Sequence, residues 1–144
     1  MHYTHVNNSE RKDPCFFMLL QAGRTQYARL EEALKGVGLS AAKYYVLSHL
    51  VRVGEPVPLR LLAEEQECVP SNMTTLVDRL EADGLVRRID DPADRRSKRA
   101  VLTPLGVEKA AAGAEVVARV QDAFTESLDL TERLALAKVL SSLT

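Results

Sequence analysis

The apolar residues of this chain recur at helical spacing over most of its length, and two short β-type runs lie close together near its middle. The first helical segment opens at Asp13 and Pro14, which suit a helix start, and it stops at Gly36. Its apolar and small residues advance in alternating steps of four and three: Phe16, Leu20, Gly23, Tyr27, Leu30 and Leu34. This heptad-like spacing predicts a helix over 13–36, and the fully apolar start "CFFMLL" favours a second subunit as its packing partner.

Three further helices are predicted before the β-type runs. The first starts at Ser40 and stops at Gly54, and a short helix follows over 59–66. Pro70 then opens a helix that ends at Gly84. The apolar side of the helix that begins at Ser40 is expected to comprise Tyr44, Leu47, Leu50 and Val51.

The helix that follows Pro70 carries an unusual polar face. Ordinary solvated helices favour Glu and Lys, whereas this face consists mainly of short hydrogen-bonding side chains: Ser71, Asn72, Thr74, Thr75, Asp78 and Arg79. Compact donors and acceptors near a helix N-terminus suit the major groove of DNA, and the helix dipole there favours phosphate. A short helix, a turn and a polar-faced helix together predict a helix-turn-helix.

The runs "LVRRI" and "RAVLT" are rich in β-forming residues and flank a charged loop, so they predict a β-hairpin. Asp91-Pro92 favours the turn, and Arg95 and Arg96 are expected to project from the far end. A hairpin beside a helix-turn-helix is a wing, whose arginines can contact phosphates or enter a narrow minor groove. Asp94 is expected to brace Arg96 and to fix the shape of the loop.

The distribution of charged residues along the chain supports the prediction of a DNA-binding wing, whereas the net charge of the chain does not. The 144-residue chain has a net charge of only −1, yet the segment from Arg87 to Arg99 contains six basic residues and three acidic ones. Such a run by itself is equally typical of a solvated surface. The length suits one domain.

Other classes of protein find little support in the residues. No apolar run approaches the roughly 20 residues that span a bilayer, and the start of the chain lacks a secretory pattern, so a cytoplasmic protein without membrane contact is expected. Cys15 and Cys68 are too few for a disulfide framework. His2 and His5 fall in a polar segment, 1–12, expected to be a flexible tail without a metal site. With no Gly-rich phosphate loop and no identifiable catalytic set, neither an enzyme nor a cofactor is expected.

Residues 62–106 resemble the winged helix of MarR-family transcriptional regulators, above all in "LVDRLEADGLVRR" and "DPADRR", and "GLSAAKYYVLSHL" is similar to the family's second helix. The resemblance implies a mainly α fold with a small β-hairpin wing, in a single domain over 13–144. It implies a winged helix over 56–103 and dimerisation helices over 13–36 and 104–143. The implied homodimer would place two winged helices in successive major grooves of a pseudo-palindromic double-stranded DNA site, about 34 Å apart.

The resulting hypothesis is a sequence-specific DNA-binding regulator, either a repressor or an activator with the repressor favoured, that is released by a small molecule or an oxidant. Its DNA contacts are expected from Ser71, Asn72, Thr74, Thr75, Arg79, Arg95 and Arg96. The alternative from another class is a winged-helix protein-interaction module, which would use the same polar helix and wing to bind a protein. Failure to bind any genomic DNA fragment would favour that alternative.

The resemblance also implies an effector, a small phenolic or aromatic acid bound between the dimerisation helices and the DNA-binding lobe. The side chains expected to line its pocket are Tyr27, Tyr44, Tyr45, His49, Arg24 and Arg52. Tyrosines at helical spacing are equally typical of ordinary packing.

Cys15, in "DPCFFMLL", resembles the N-terminal-helix cysteine of the peroxide-sensing branch of the family. At the start of a helix, unpaired amides and the dipole stabilise a thiolate, although Asp13 opposes this. Cys15 is therefore a redox-sensing candidate for an organic hydroperoxide, with Tyr44 or Tyr45 as hydrogen-bond donor to the thiolate. The alternative is a cysteine with a packing role only.

Overall fold

The computed structural model describes residues 13–144, so the predicted tail and its histidines, His2 and His5, lie outside the described residues. The described chain contains six helices and three strands. In order they are α1 (Cys15–Lys35), α2 (Ala41–Val53), β1 (Val57–Pro58), α3 (Leu59–Glu65), α4 (Pro70–Ala82), β2 (Val86–Asp91), β3 (Asp94–Leu102), α5 (Pro104–Glu126) and α6 (Leu130–Ser141). The prediction of a mainly α chain with a small β-hairpin wing is confirmed.

Local capping chemistry accounts for most of the helix ends. The Ser40 hydroxyl accepts a hydrogen bond from the Lys43 amide at 3.2 Å, and Gly54 ends α2 in the left-handed conformation, with φ of 73°. The Thr103 hydroxyl accepts the Gly106 amide at the start of α5. A capping box at Asp129 separates α6 from α5.

The three strands form an antiparallel sheet in the order β1-β3-β2. The hairpin of β2 and β3 was predicted, whereas the short edge strand β1 was not. It pairs Val57 with Ala100 and Pro58 with Arg99. As a result, β3 is the central strand, and the base of the wing is tied to the chain that leads into α3.

The hydrophobic core lies among α2, α3, α4 and the sheet, with the end of α1 and part of α5 packed against it. Val51 was expected on the apolar side of α2 but is 51% exposed, whereas Val46 is fully buried. The helix is therefore rotated so that Ala41, Val46, Leu47 and Leu50 face the core. The largest fully buried side chains are Leu34, Leu47, Leu62, Met73, Leu80, Val46, Val77 and Val86.

Apolar side chains at both ends of the described chain remain uncovered. The first turns of α1 expose Phe16, Phe17, Met18, Leu19 and Leu20. In α6 no residue is buried, and Leu130, Leu134, Val139 and Leu140 are exposed. Among the described helices, none combines the length and the apolar character needed to cross a membrane.

Candidate nucleic-acid interface

Helix α4 presents the predicted polar face because its opposite side is anchored in the core. Met73, Val77 and Leu80 are buried at helical spacing. Consequently the side chains predicted to contact DNA from this helix are all exposed: Ser71, Asn72, Thr74, Thr75 and Arg79. Pro70 occupies the first turn, where its missing amide hydrogen costs nothing.

The hydroxyl groups of this face have defined orientations. Thr74 donates to the Pro70 carbonyl and Thr75 donates to the Ser71 carbonyl, each at 3.1 Å. Their oxygen lone pairs remain available to accept hydrogen bonds. Within residues 13–144, the side chains of Asn72 and Arg79 make no hydrogen bond or ion pair, so they are free to contact a ligand.

Arg88 of β2 connects the wing to α4. Its guanidinium contacts Asp78 at 2.5 Å and Glu81 at 3.0 Å, and its backbone amide donates to Glu81 at 2.8 Å. The side-chain and backbone hydrogen bonds from Arg88 hold the pKa of the Glu81 carboxyl below its usual value. These contacts of Arg88 with Asp78 and Glu81 are called the Arg88 clamp below. Because Asp78 lies on the polar face of α4, the clamp places the base of the wing beside that face. It also pairs Asp78, the one carboxylate of the polar face, with a cation.

The tip of the wing is a loop that departs from regular strand pairing. On β2, Asp90 pairs with Lys98 and the next residue, Asp91, pairs with Asp94. The intervening residues of β3, which include Arg95 and Arg96, therefore have no partner on β2. Both arginines are exposed, and neither forms an ion pair with another residue of the described chain. The predicted pair of projecting cations is present at the expected place.

The expected contact between Asp94 and Arg96 is made through the backbone of Arg96. The Asp94 carboxylate accepts a hydrogen bond from the Arg96 backbone amide at 2.9 Å, and the guanidinium of Arg96 forms no ion pair with it among the described contacts. An Asp side chain in a turn commonly accepts a hydrogen bond from the backbone amide two residues ahead. This local hydrogen bond is more favourable for the carboxylate than an exposed ion pair with a long side chain. Asp94 therefore shapes the backbone of the loop.

A second carboxylate, at Asp91, was not among the predicted site residues. Asp91 is only 8% exposed, and it accepts the Ala93 amide at 2.9 Å and the Arg99 guanidinium at 3.0 Å. The Ala93 hydrogen bond, followed by the charges of Arg99 and Arg60, keeps the pKa of this carboxyl below its usual value in spite of burial. In the sequence, only the Asp91-Pro92 turn signal drew attention to this position.

The predicted effector residues divide between two neighbouring grooves. Tyr27, Tyr44 and Tyr45 line a groove of about 530 Å³ between α1, α2 and α5, together with Leu30, Val117, Val120 and Phe124. Burial, and then the neighbouring Glu31, raise the pKa of Tyr27. This groove combines an apolar lining with phenol hydroxyl groups, which is the composition that a small aromatic ligand requires.

The other groove is more polar. His49 and Arg52 line it with Tyr45 and acidic residues of the turn after α3, in a volume of about 430 Å³. Arg52 and His49 Nδ1 are 2.9 Å apart. Arg24 is exposed on α1 and is not among the residues that line either groove, so the six candidate side chains do not lie in one groove of the single chain.

Cys15 lies at the exposed first turn of α1. The Asp13 carboxylate accepts the Cys15 backbone amide at 2.9 Å. Its hydrogen bond to the thiol and its negative charge raise the pKa of Cys15. The expected effect of the helix N-terminus, a lowered pKa of the thiol, is thus outweighed by Asp13 within the described chain. Cys15 is also exposed, which argues against a packing role inside one subunit.

Comparisons with known proteins agree on one family. The sequence profile of the MarR family matches residues 37–97, which include α2 to α4 and most of the wing. The uncharacterized HTH-type transcriptional regulator YdcH of Bacillus subtilis (strain 168) is 27% identical over 111 residues, which are 75% of this chain and 76% of YdcH.

Solved structures extend the similarity over nearly the whole chain. CouR from Rhodococcus jostii RHA1, solved with bound p-coumaroyl-CoA, is 30% identical, with a TM-score of 0.76 and coverage of 91% of this chain and 92% of CouR. A mutant MarR from E. coli, solved in complex with operator DNA, gives a TM-score of 0.82 at 21% identity, with coverage of 95% and 98%. At 21% identity, the similarity to the MarR mutant shows a shared fold.

Proposed function

Since the chain belongs to the MarR family of transcriptional regulators, which are not enzymes, we propose that it is a repressor that binds a pseudo-palindromic operator as a homodimer. The observation that carries the proposal is a pair of exposed arginines, Arg95 and Arg96, which form no ion pair within residues 13–144 and lie on a wing that Arg88 fixes beside the polar face of α4. A protein with this role acts in the cytoplasm, where it has access to the DNA.

The chemistry of each side chain indicates whether it contacts a base edge or a phosphate in the proposed complex. Asn72 and the hydroxyl groups of Ser71, Thr74 and Thr75 are compact enough to reach base edges in the major groove, and Arg79 is suited to a phosphate. Arg95 and Arg96 at the wing tip are suited to phosphates or to a narrow minor groove.

The homodimer is supported by the apolar surface that one chain leaves exposed. Phe16, Phe17 and Leu20 at the start of α1, and Leu134 and Leu140 of α6, lie 40–70% exposed in the single chain. Clusters of exposed apolar side chains of this kind mark an interface. A two-fold axis through these helices would present two copies of α4 to half-sites about 34 Å apart.

The effector is proposed to be a small phenolic acid or its acyl derivative that binds in the groove of Tyr27, Tyr44 and Tyr45. Two facts support this: the groove has an apolar lining with phenol groups, and CouR is a relative that was solved with p-coumaroyl-CoA. Release by an organic hydroperoxide through Cys15 is the second route. The raised pKa of Cys15 makes it the weaker one.

The test of DNA binding begins with selection of genomic fragments by the purified protein. Affinity for a selected site and for random DNA is then measured between 50 and 200 mM salt. Arg95 and Arg96 changed together to Ala should remove roughly four phosphate contacts per dimer. The slope of log affinity against log salt concentration should then become shallower by about 3.6. Between the two salt concentrations the variant should therefore lose roughly a hundredfold less affinity than the wild type. The charge-matched control changes Arg29 and Arg119, both exposed on helices away from the wing, to Ala.

Three results would contradict the proposal in different parts. A chain that selects no fragment but retains a protein partner is an interaction module. An unchanged salt slope in the wing variant removes the wing from the interface. If phenolic acids leave the complex intact, whereas hydroperoxide releases the wild type but not Cys15→Ser, then the signal is oxidative.

A further inference from the structure

The wing tip is held by side chains rather than by strand pairing. Because the ladder passes from the Asp90–Lys98 pair directly to the Asp91–Asp94 pair, the segment with Arg95 and Arg96 has no paired residue on β2. A segment without such a partner samples many conformations unless other contacts fix it. The orientation of the two arginines therefore depends on the groups that flank the loop.

Asp91 contacts residues on both sides of the segment that carries Arg95 and Arg96. The ladder becomes irregular between Asp90 and Asp91, and these two neighbours face opposite ways, with Asp91 inward and Asp90 outward. The exposed fractions differ accordingly: 8% for Asp91, but 79% for the side chain of Asp90. From this inward position Asp91 Oδ1 accepts the amide of Ala93, before the loop, and the guanidinium of Arg99, after it.

Arg99 anchors the other end of this contact in the sheet. It lies on the central strand, where its neighbours are Pro58 on one side and Ile89 on the other. Its Nε is buried and has no hydrogen-bond partner within the described residues, so the ion pair with Asp91 is the contact that compensates its charge. Arg60, in the first turn of α3, adds a second positive charge near the carboxylate.

We propose that Asp91 is a positioning residue for DNA binding: through Ala93 and Arg99 it fixes the loop so that Arg95 and Arg96 point at the DNA backbone. The inference rests on the proposed function for its DNA readout, but its structural part can be tested without DNA. Two explanations compete with it, namely that Asp91 matters only as a negative charge, or only for the stability of the whole fold.

The variant Asp91→Asn separates these explanations because it keeps an oxygen for the Ala93 amide and removes the charge that holds Arg99. Loss of a negative charge near DNA should by itself tighten binding. Loss of a positioning contact should weaken it. Asp90→Asn is the matched control, since it removes the neighbouring charge, which is exposed and pairs with Lys98 on the surface.

The binding experiment measures affinity for the selected DNA site against salt in two backgrounds, the wild type and the protein with Arg95 and Arg96 changed to Ala. We expect Asp91→Asn to weaken binding about tenfold and to flatten the salt slope in the wild type, and to have no further effect once the two arginines are gone. Asp90→Asn should bind as tightly as the wild type or more tightly. Equal weakening in both backgrounds, or an Asp91→Asn protein that binds like Asp90→Asn, would overturn the proposal.

A second measurement needs no DNA. Trypsin cleaves after arginine in mobile loops, so we expect Asp91→Asn to be cut faster after Arg95 and Arg96 at a temperature at which its near-UV spectrum matches that of the wild type. If the wild type binds no DNA but this acceleration is seen, the proposed function fails and the structural role of Asp91 stands. An unchanged rate of cleavage at the wing overturns the role itself.

Discussion

Gly106 is the position where a single added methyl group should have the clearest effect on stability. It lies in the first turn of α5, directly against the turn that connects α4 to β2. A Cβ built on Gly106 would lie 2.0 Å from the Leu85 carbonyl oxygen and 3.0 Å from its carbonyl carbon. Both are backbone atoms, so no side chain can move aside to relieve the contact.

The size of the effect follows from the contacts at this junction. To restore the ordinary separation of 3.4 Å or more, α5 and the Leu85 peptide must move apart by about 1.4 Å. Overpacking of this kind costs about 1–3 kcal/mol. The same carbonyl accepts the Thr103 amide at 3.1 Å, a bond worth about 1 kcal/mol that the movement weakens. Alanine gains about 1 kcal/mol in helix propensity. The net expected loss for Gly106→Ala is therefore about 1–3 kcal/mol.

Thermal unfolding followed by circular dichroism is the assay. For a chain of this size 1 kcal/mol corresponds to about 3 °C, so Tm should fall by about 3–10 °C at matched protein concentration. Val107→Ala is the control because Val107 is the next residue of the same turn and is 52% exposed. Its Tm should change little. A higher Tm for Gly106→Ala would refute the reasoning, since it would mean that the junction relaxes freely and that helix propensity decides.

Three shorter predictions concern the ends of the chain and the clamp. Asp13→Asn should lower the pKa of Cys15 and speed its alkylation by iodoacetamide at pH 7.5, measured by mass spectrometry; an unchanged rate would contradict the cause given for the raised pKa. Because its folded-state pKa is lowered, Glu81 stabilises the fold above its unfolded value of 4.5, and this contribution is lost as pH falls through the folded-state pKa. The Tm of the wild type should therefore drop more steeply below pH 4.5 than that of Glu81→Gln, and parallel curves would argue against the Arg88 clamp. Leu20→Asp should yield monomers in sedimentation equilibrium, and a persistent dimer would place the interface elsewhere.

The helices were largely predictable from the sequence because their ends depend on local chemistry. Ser40 and Gly54 bound α2 as predicted, and Thr103 with Pro104 starts α5. Such signals act within a few residues of the chain and need no tertiary information. The rotation of α2 about its own axis, in contrast, depends on tertiary packing. Whether Val46 or Val51 faces the core depends on which neighbours pack against the helix, and both satisfy an apolar pattern.

The wing shows where prediction from the sequence stopped. Its strands and its projecting arginines were predicted, whereas β1 was not, since a strand of two residues has no periodicity to detect. Asp91 and Asp94 look alike in the sequence. They differ in burial, since Asp91 is 8% exposed and Asp94 lies on the surface. Which of the two faces inward depends on the irregular pairing of β2 with β3 rather than on either strand alone.

The separation of the effector candidates has a similar origin. The sequence supplied aromatic and basic residues on α1 and α2, and it did not specify the angle between these helices. In the structure Tyr44 packs against α5 at Gly113, where an added Cβ would lie 2.7 Å from the tyrosine ring. This close approach sets the width of the groove with Tyr27, and it leaves His49 and Arg52 on another side of α2.

The first turn of α5 also offers a route from the proposed effector groove to the proposed DNA-binding elements. Further along, α5 lines the groove with Val117, Val120 and Phe124, while at its start Thr103 accepts the Gly106 amide and donates to the Gly84 carbonyl at 2.6 Å. Gly84 follows α4, so a ligand that shifts α5 would move the C-terminal end of α4 through this hydroxyl. We therefore expect Thr103→Val, which keeps the shape and removes both bonds, to bind the phenolic ligand as the wild type does and to show a smaller ligand-induced loss of DNA affinity. Calorimetry of ligand binding, combined with DNA titrations with and without the ligand, measures both quantities. If the loss of DNA affinity equals that of the wild type, the signal does not pass through Thr103.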